Sequence, residues 1–328
     1  MKNYFDFTLS GKKFLPVWLV IYLLIFLPYI FVLRYSVQMM TPQMMTPGMQ
    51  TLPELPDNMI LFGLIMICIG LAALVIGFFI CKILIESVKY SDANLKFNGR
   101  FWSFVGKILL GILLSAVTLG IYAPWFARDI HRFFVNGTSL NDSGFEFKGK
   151  GGTLFLIFLL GMFLPVIVVS LLFASQLAVL DGFSIYTVLF QVLMVIVMIP
   201  GIYLIYKWMI DIKYKDYQIK WQTALVNSSC KILFELFLAL ITLGIYLPLT
   251  YLKLYKYFVE RTVAVKEGST LSFGYELNIP KDFFYVWGQV LLIIITAGIY
   301  YPWAAAKIGR RVLSKTYLTQ SQTEPQTV

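Results

Sequence analysis

Few residues in this 328-residue chain could do chemistry, and their settings decide what kind. Glu235 is the one acid set inside an apolar stretch, where an acid is by default a proton or cation site. Lys231 stands one helical turn earlier, which favours a local ion pair at the membrane edge. His131, the single histidine, lies among Arg128, Asp129 and Arg132 and reads as an interface residue, with pH sensing as its alternative. Five methionines at 39, 40, 44, 45 and 49 offer thioethers to a soft cation such as Cu(I), or simply make a flexible loop. Cys68, Cys81 and Cys230 have no His or Cys neighbours at metal-ligand spacing and read as structural thiols. No nucleophile motif, phosphate loop or dinucleotide fingerprint appears. The chain is therefore expected to be no enzyme, with no catalytic residue, cofactor or resident metal.

The most distinctive residues recur together. Thr118, Gly120, Tyr122 and Pro124 stand in Thr-Leu-Gly-Ile-Tyr-Ala-Pro-Trp. The string returns with Thr242, Gly244, Tyr246 and Pro248, and again with Thr296, Gly298, Tyr300 and Pro302. A cation follows each Thr by fourteen residues (Arg132, Lys256, Arg310), and a second Thr follows by twenty (Thr138, Thr262, Thr316). The chemistry is that of helix punctuation. Glycine can adopt the left-handed conformation that ends a helix, proline is pre-set for the next first turn, and Thr can bond a freed carbonyl. Hinges or the lining of a substrate path are the functional reading of these residues and of Glu235. The basic helix after the first copy, with Arg128 and Arg132, is expected to lie against anionic lipid, as are Lys256 and Arg310 in the other copies.

These residues need elements to position them, and composition says which. The chain is 59% hydrophobic and 13% charged, with a mean hydropathy of +0.77. Ordinary soluble domains carry about 25% charged residues. Seven windows hold at most one charge: 14–33, 58–81, 108–127, 151–180, 182–206, 232–252 and 283–306. Most reach the roughly 20 residues that cross a bilayer. The expected fold is an all-α polytopic integral membrane protein, and the net charge of +10 reads as topology and lipid contact rather than nucleic-acid binding.

An offset of 124 organises the chain: over 88–138, 17 of 51 positions are identical to 212–262. This divides it into an N-terminal segment (1–57) with one helix and the Met/Pro-rich loop, unit A (58–181), unit B (182–316) and a disordered tail (317–328). Each unit is expected to hold three helical segments. Phe5-Asp6-Phe7, Leu95-Lys96-Phe97, Phe145-Glu146-Phe147 and Leu271-Ser272-Phe273 predict short extended aromatic segments just before membrane helices. Charge bias places the N-terminus in the cytoplasm but puts both ends of window 108–127 on one side. That window either spans against the bias or is re-entrant.

The Gly-Ile-Tyr-Ala-Pro-Trp string, the Arg-Asp-Ile-His-Arg-Phe-Phe after it, Thr138 and Phe-Glu-Phe-Lys-Gly together resemble the YjgN-like bacterial inner-membrane proteins, a family defined by a domain of unknown function. Leu249, where that string has Trp, and the Met/Pro loop depart from the pattern. The resemblance implies an inner-membrane location and carries over no assigned activity or catalytic residue. The leading expectation is a small-solute transporter or channel. Its alternative is a non-transporting scaffold or envelope-maintenance protein that holds anionic lipid or a protein partner.

Overall fold

A strand begins where a threonine closes each short basic helix. Thr138, Thr262 and Thr316 turn their hydroxyls back to the carbonyls of Phe134, Phe258 and Val312 at 2.8–3.0 Å. The bond finishes the helix, and the β-branched side chain suits the extended backbone that follows. These strands belong to an 11-stranded antiparallel sheet in the computed structural model, which describes residues 2–24, 59–179 and 185–321. In chain order they are β1 (Asn3–Phe7), β2 (Val88–Tyr90), β3 (Ala93–Asn94), β4 (Lys96–Phe97), β5 (Thr138–Leu140), β6 (Ser143–Phe147), β7 (Ile212–Tyr214), β8 (Tyr217–Trp221), β9 (Thr262–Lys266), β10 (Ser269–Tyr275) and β11 (Thr316–Ser321).

Across the sheet the order is β3-β2-β1-β11-β10-β9-β8-β7-β6-β5-β4. The edge strands β3 and β4 are separated only by Leu95, so segment 93–97 pairs with β2 at one end and β5 at the other. The sheet thus returns on itself as a nearly closed barrel, which leaves little edge to recruit another chain. Tight turns set the register of its hairpins. Ser91-Asp92 and Asn141-Asp142 hold φ between 45° and 66°, and Lys215 and Gly268 are also left-handed at 52° and 76°. Asn, Asp and Gly tolerate that region best.

After each hairpin the chain leaves the sheet as one helix and returns as another. The pairs are α1 (described over 11–24) with α2 (Met59–Glu86), α3 (Phe101–Val117) with α4 (Ala123–Asn136), and α8 (Leu225–Ile241) with α9 (Leu247–Val259). The last is α10 (Ile279–Ile295) with α11 (Tyr301–Leu313). The longest pair runs from α5 (Gly151–Phe158) through a π-helical turn (Leu159–Phe163) into α6 (Leu164–Val179), and back as α7 (Ile185–Met209). Its two arms meet closely at Gly161 and Gly201, where a Cβ on either glycine would press on the other's backbone.

Each outgoing helix starts four residues after the aromatic that closes a strand: Phe7, Phe97, Phe147, Trp221 and Tyr275. Four of these rings are buried, and each anchors its own apolar cluster. Phe97, for example, packs with Phe78, Phe104 and Ile108, and burying such a ring is worth about 2–3 kcal/mol. The core is distributed around the sheet, one cluster at the root of each of these helix pairs. Strand β11 pairs with β1, which makes the two ends of the chain the hairpin for α1 and α2.

The all-α expectation is therefore corrected. The predicted extended aromatic segments are full members of a continuous sheet, because their period-2 pattern buries one face against the helix roots. Among the described residues three helical stretches are long and apolar enough to cross a membrane: Ile69–Glu86, Gly151–Ala174 and Ile185–Met209. Windows 108–127, 232–252 and 283–306 are not single helices. Each is broken at its Thr-x-Gly turn, so α3, α8 and α10 have 17 residues, about 25 Å of helix. The tail predicted to be disordered from 317 is strand through Ser321.

Candidate functional site

The three Gly-Ile-Tyr turns are built alike. Thr118, Thr242 and Thr296 cap the outgoing helix, each donating its hydroxyl to the carbonyl four residues back at 2.7–2.9 Å. The same oxygens accept the amides of Tyr122, Tyr246 and Tyr300 at 3.0–3.1 Å, which ties the returning helix to the outgoing one. Gly120, Gly244 and Gly298 sit at φ of 85–91°, a conformation other residues adopt only with strain. Their amides reach five residues back, to Ser115, Ala239 and Ile293. Pro124, Pro248 and Pro302 occupy the first turn of α4, α9 and α11. The tips are apolar and open: Leu119 and Leu243 are each 93% exposed. Neighbouring helices cover two of the turns, with Trp18 donating to the Gly298 carbonyl and Trp287 to that of Ile245.

The tryptophan after the turn has a specific seat. Trp125 packs on Gly151 and Trp303 on Gly11, the first residues of the long pairs α5–α7 and α1–α2. A Cβ on either glycine would stand within about 2.6 Å of the indole. Where a short pair follows a short pair, Leu249 replaces Trp and Ile279 replaces Gly. The departure at Leu249 thus marks which helix comes next.

Glu235 is fully buried, with Lys231 Nζ 2.7 Å from one carboxylate oxygen and, among the described residues, no partner for the other. Its backbone carbonyl accepts the Thr250 hydroxyl at 3.0 Å. The corresponding places hold Gly111 beneath Phe126, and Gln289, which accepts the Tyr300 hydroxyl at 3.2 Å. His131 is bonded to the Met209 carbonyl at 3.0 Å and lies against Phe147 and Trp208. Burial pushes its pKa down, against the carbonyl's upward pull. Of the residues expected at lipid, Arg128 is paired with Asp129 at 2.6 Å and Lys256 with Glu260 at 3.6 Å. Arg132 is exposed, and Arg310 donates to the Phe7 carbonyl at 3.2 Å. The methionine-rich loop lies outside the described residues.

Sequence reasoning missed Asp282. This fully buried carboxylate meets Arg311 at 2.8 Å, Lys315 at 2.5 Å and the Asn278 amide at 2.9 Å. Burial alone would raise its pKa, but Lys315, the Asn278 amide and Arg311 hold it below the usual carboxylate range. The signal was present: Asn278 and Asp282 bracket the first turn of α10, and Arg311 and Lys315 share a face of the chain at the end of α11. The geometry makes a structural clamp and exposes no nucleophile.

A composition this apolar, joined to three long apolar helices, defines a membrane protein. Residues 92–269, more than half of the chain, match the family described as bacterial protein of unknown function (DUF898), and the chain belongs to it. It is also similar to the inner membrane protein YjgN of Salmonella typhimurium (strain LT2), 33% identical over 88 residues, which is 27% of this chain. That stretch spans 22% of the relative's length. No solved structure matches.

Proposed function

We propose that the chain is a multi-pass bacterial inner-membrane scaffold, with the barrel of strands as a collar on the cytoplasmic face and the N-terminus on that side. The observation that carries this reading is the return of helix pairs to one sheet. The short pairs would enter the bilayer by their apolar tips and come back, while the long pairs cross it. The basic faces of α4, α9 and α11 then lie near the headgroups and hold anionic lipid. The common inner-membrane name of a relative supports the location, and the recurring hairpin and helix pair supports the internal repeat read from the sequence.

Single cysteines at Ser143 (β6) and Ser269 (β10), in a background without native cysteines, test the arrangement. Both should resist a membrane-impermeant maleimide in intact cells and react after lysis. Labelling of one alone in intact cells would defeat the collar. A second reading, a small-solute transporter, draws support from the unpartnered buried oxygen of Glu235. A drop in uptake for Glu235→Gln across a solute panel, with expression unchanged, would favour it.

A further inference from the structure

A cleft of about 560 Å³ opens between the returning helix α11 and the start of α1, lined by Trp303, Lys307, Arg310 and Arg311 on one wall and Ser10 and Gly11 on the other. The α11 residues recur every three or four positions and so form one face of the helix. Among the described residues, neither Lys307 nor Arg310 has a carboxylate partner. Lys307 donates to the Tyr300 hydroxyl at 2.8 Å, and Arg310 uses only Nε, toward the Phe7 carbonyl. Arg311 is committed to Asp282 and lies over the Tyr285 ring at 4.9 Å.

The opposite wall is the N-terminus of a helix whose first turn carries Lys12 and Lys13 and no acid. Phe14 is the amide that binds back to the Ser10 carbonyl, and the amides before it have no partner within the helix. Cations at this end oppose the helix dipole, so the junction concentrates uncompensated positive charge from two elements.

The counterpart junction provides an internal control. At the base of α4, beside Gly151, Trp125 and Arg132 stand where Trp303 and Arg310 stand, but Asp129 takes the place of Lys307 and neutralises Arg128. The same architecture therefore occurs once with an aspartate beside its arginine and once with a lysine in that place.

We infer that the cleft between α11 and α1 binds a phosphate-bearing group, with Arg310 and Lys307 as its charged contacts and the first turn of α1 as its amide donor. Guanidinium, ammonium and helix N-terminus are each matched to phosphate oxygens. The indole of Trp303, seated beside the cations, suits the glycerol and acyl root of a phospholipid. This deepens the lipid-holding reading and rests on it only for the choice of a lipid over a soluble phosphate.

Native mass spectrometry of the full chain, released from a nonionic detergent, tests the site with added palmitoyl-oleoyl phosphatidylglycerol, with phosphatidylcholine as the headgroup control. The first phosphatidylglycerol should bind at least ten-fold more weakly to Lys307→Gln/Arg310→Gln, and equally to wild type and to Lys215→Gln in the exposed β7–β8 turn. Lys307→Asp, which copies the α4 arrangement where Asp129 accepts the Tyr122 hydroxyl, should weaken it similarly. Displacement of the lipid by millimolar inorganic phosphate would assign the site to a soluble phosphate; retention would assign it to the headgroup. Unchanged binding in both Lys307 variants, or an equal loss in Lys215→Gln, would overturn the proposal. Because the measurement uses purified protein, its outcome is independent of the sidedness that decides the collar.

Discussion

Two helix pairs that share one turn are rooted in opposite chemistries. Beneath α3 and α4, Phe104 and Phe133 pack at 5.6 Å between ring centres, beside Phe78 and Phe97. Beneath α10 and α11 the same two places hold Asp282 and Arg311, joined by Lys315. In the α8–α9 pair they hold Ser228 and Tyr257, whose hydroxyls lie 3.3 Å apart. The backbone asks only that the two helices be tied near the sheet, and an aromatic pair, a hydroxyl pair or an ion cluster each does so. What differs is the consequence. The aromatic root is inert to pH and salt, whereas the ionic root places charge beside the cleft of α11.

The comparison can be broken most severely at its two roots. Phe104→Ala should cost about 3–5 kcal/mol through the cavity it leaves, measured by thermal or denaturant unfolding in detergent micelles. Asp282→Asn should cost about 3 kcal/mol, because two partly buried cations lose their carboxylate. Acid separates the two. The folded pKa of Asp282 lies below its ordinary 3.8, so its contribution is present above that pH and is lost as pH falls through the folded value. Wild type should thus weaken below about pH 4 more than Asp282→Asn does, while Phe104→Ala keeps the acid response of wild type.

Smaller effects sharpen the shared part. Thr118→Val and Thr296→Val should each lower stability by about 1 kcal/mol and by equal amounts, since each hydroxyl makes the same two bonds. Unequal losses would mean that the turns are not equivalent. The smallest effect lies at His131, whose folded pKa is depressed below 6.5. Its neutral form is the one that fits the fold, so stability present above pH 6.5 falls as pH drops, and His131→Phe should flatten that slope between pH 7 and 5.

The sequence made the turns legible because their chemistry is local: Thr, Gly, Tyr and Pro act within eight residues. The 124-residue offset was legible too, but its meaning was not. Strand starts at 88 and 138 recur at 212 and 262, so the offset spans one short helix pair plus one long one. The period-2 aromatic stretches were legible one by one, but nothing local to each says that they join into one sheet. Their best signal was in the turns, where Asp92, Asp142 and Asp216 each precede a strand-closing aromatic by five residues. Counting apolar windows likewise overstated the spans, because hydropathy runs straight through a Thr-x-Gly break. Asp282 escaped notice for the opposite reason, since its partners are 29 and 33 residues away and only packing brings them together.

The pairing of Asn3 with Leu318 closes the sheet through a contact between residues far apart in the chain. Closing a loop of that length costs more chain entropy than closing any hairpin of the sheet, so this seam is expected to form after the local pairings. Until then β1 and β11 each present an unsatisfied edge. β11 therefore acts as a clasp between β10 and β1. Without β11 the remaining strands would form an open ribbon with β1 and β10 as its exposed edges.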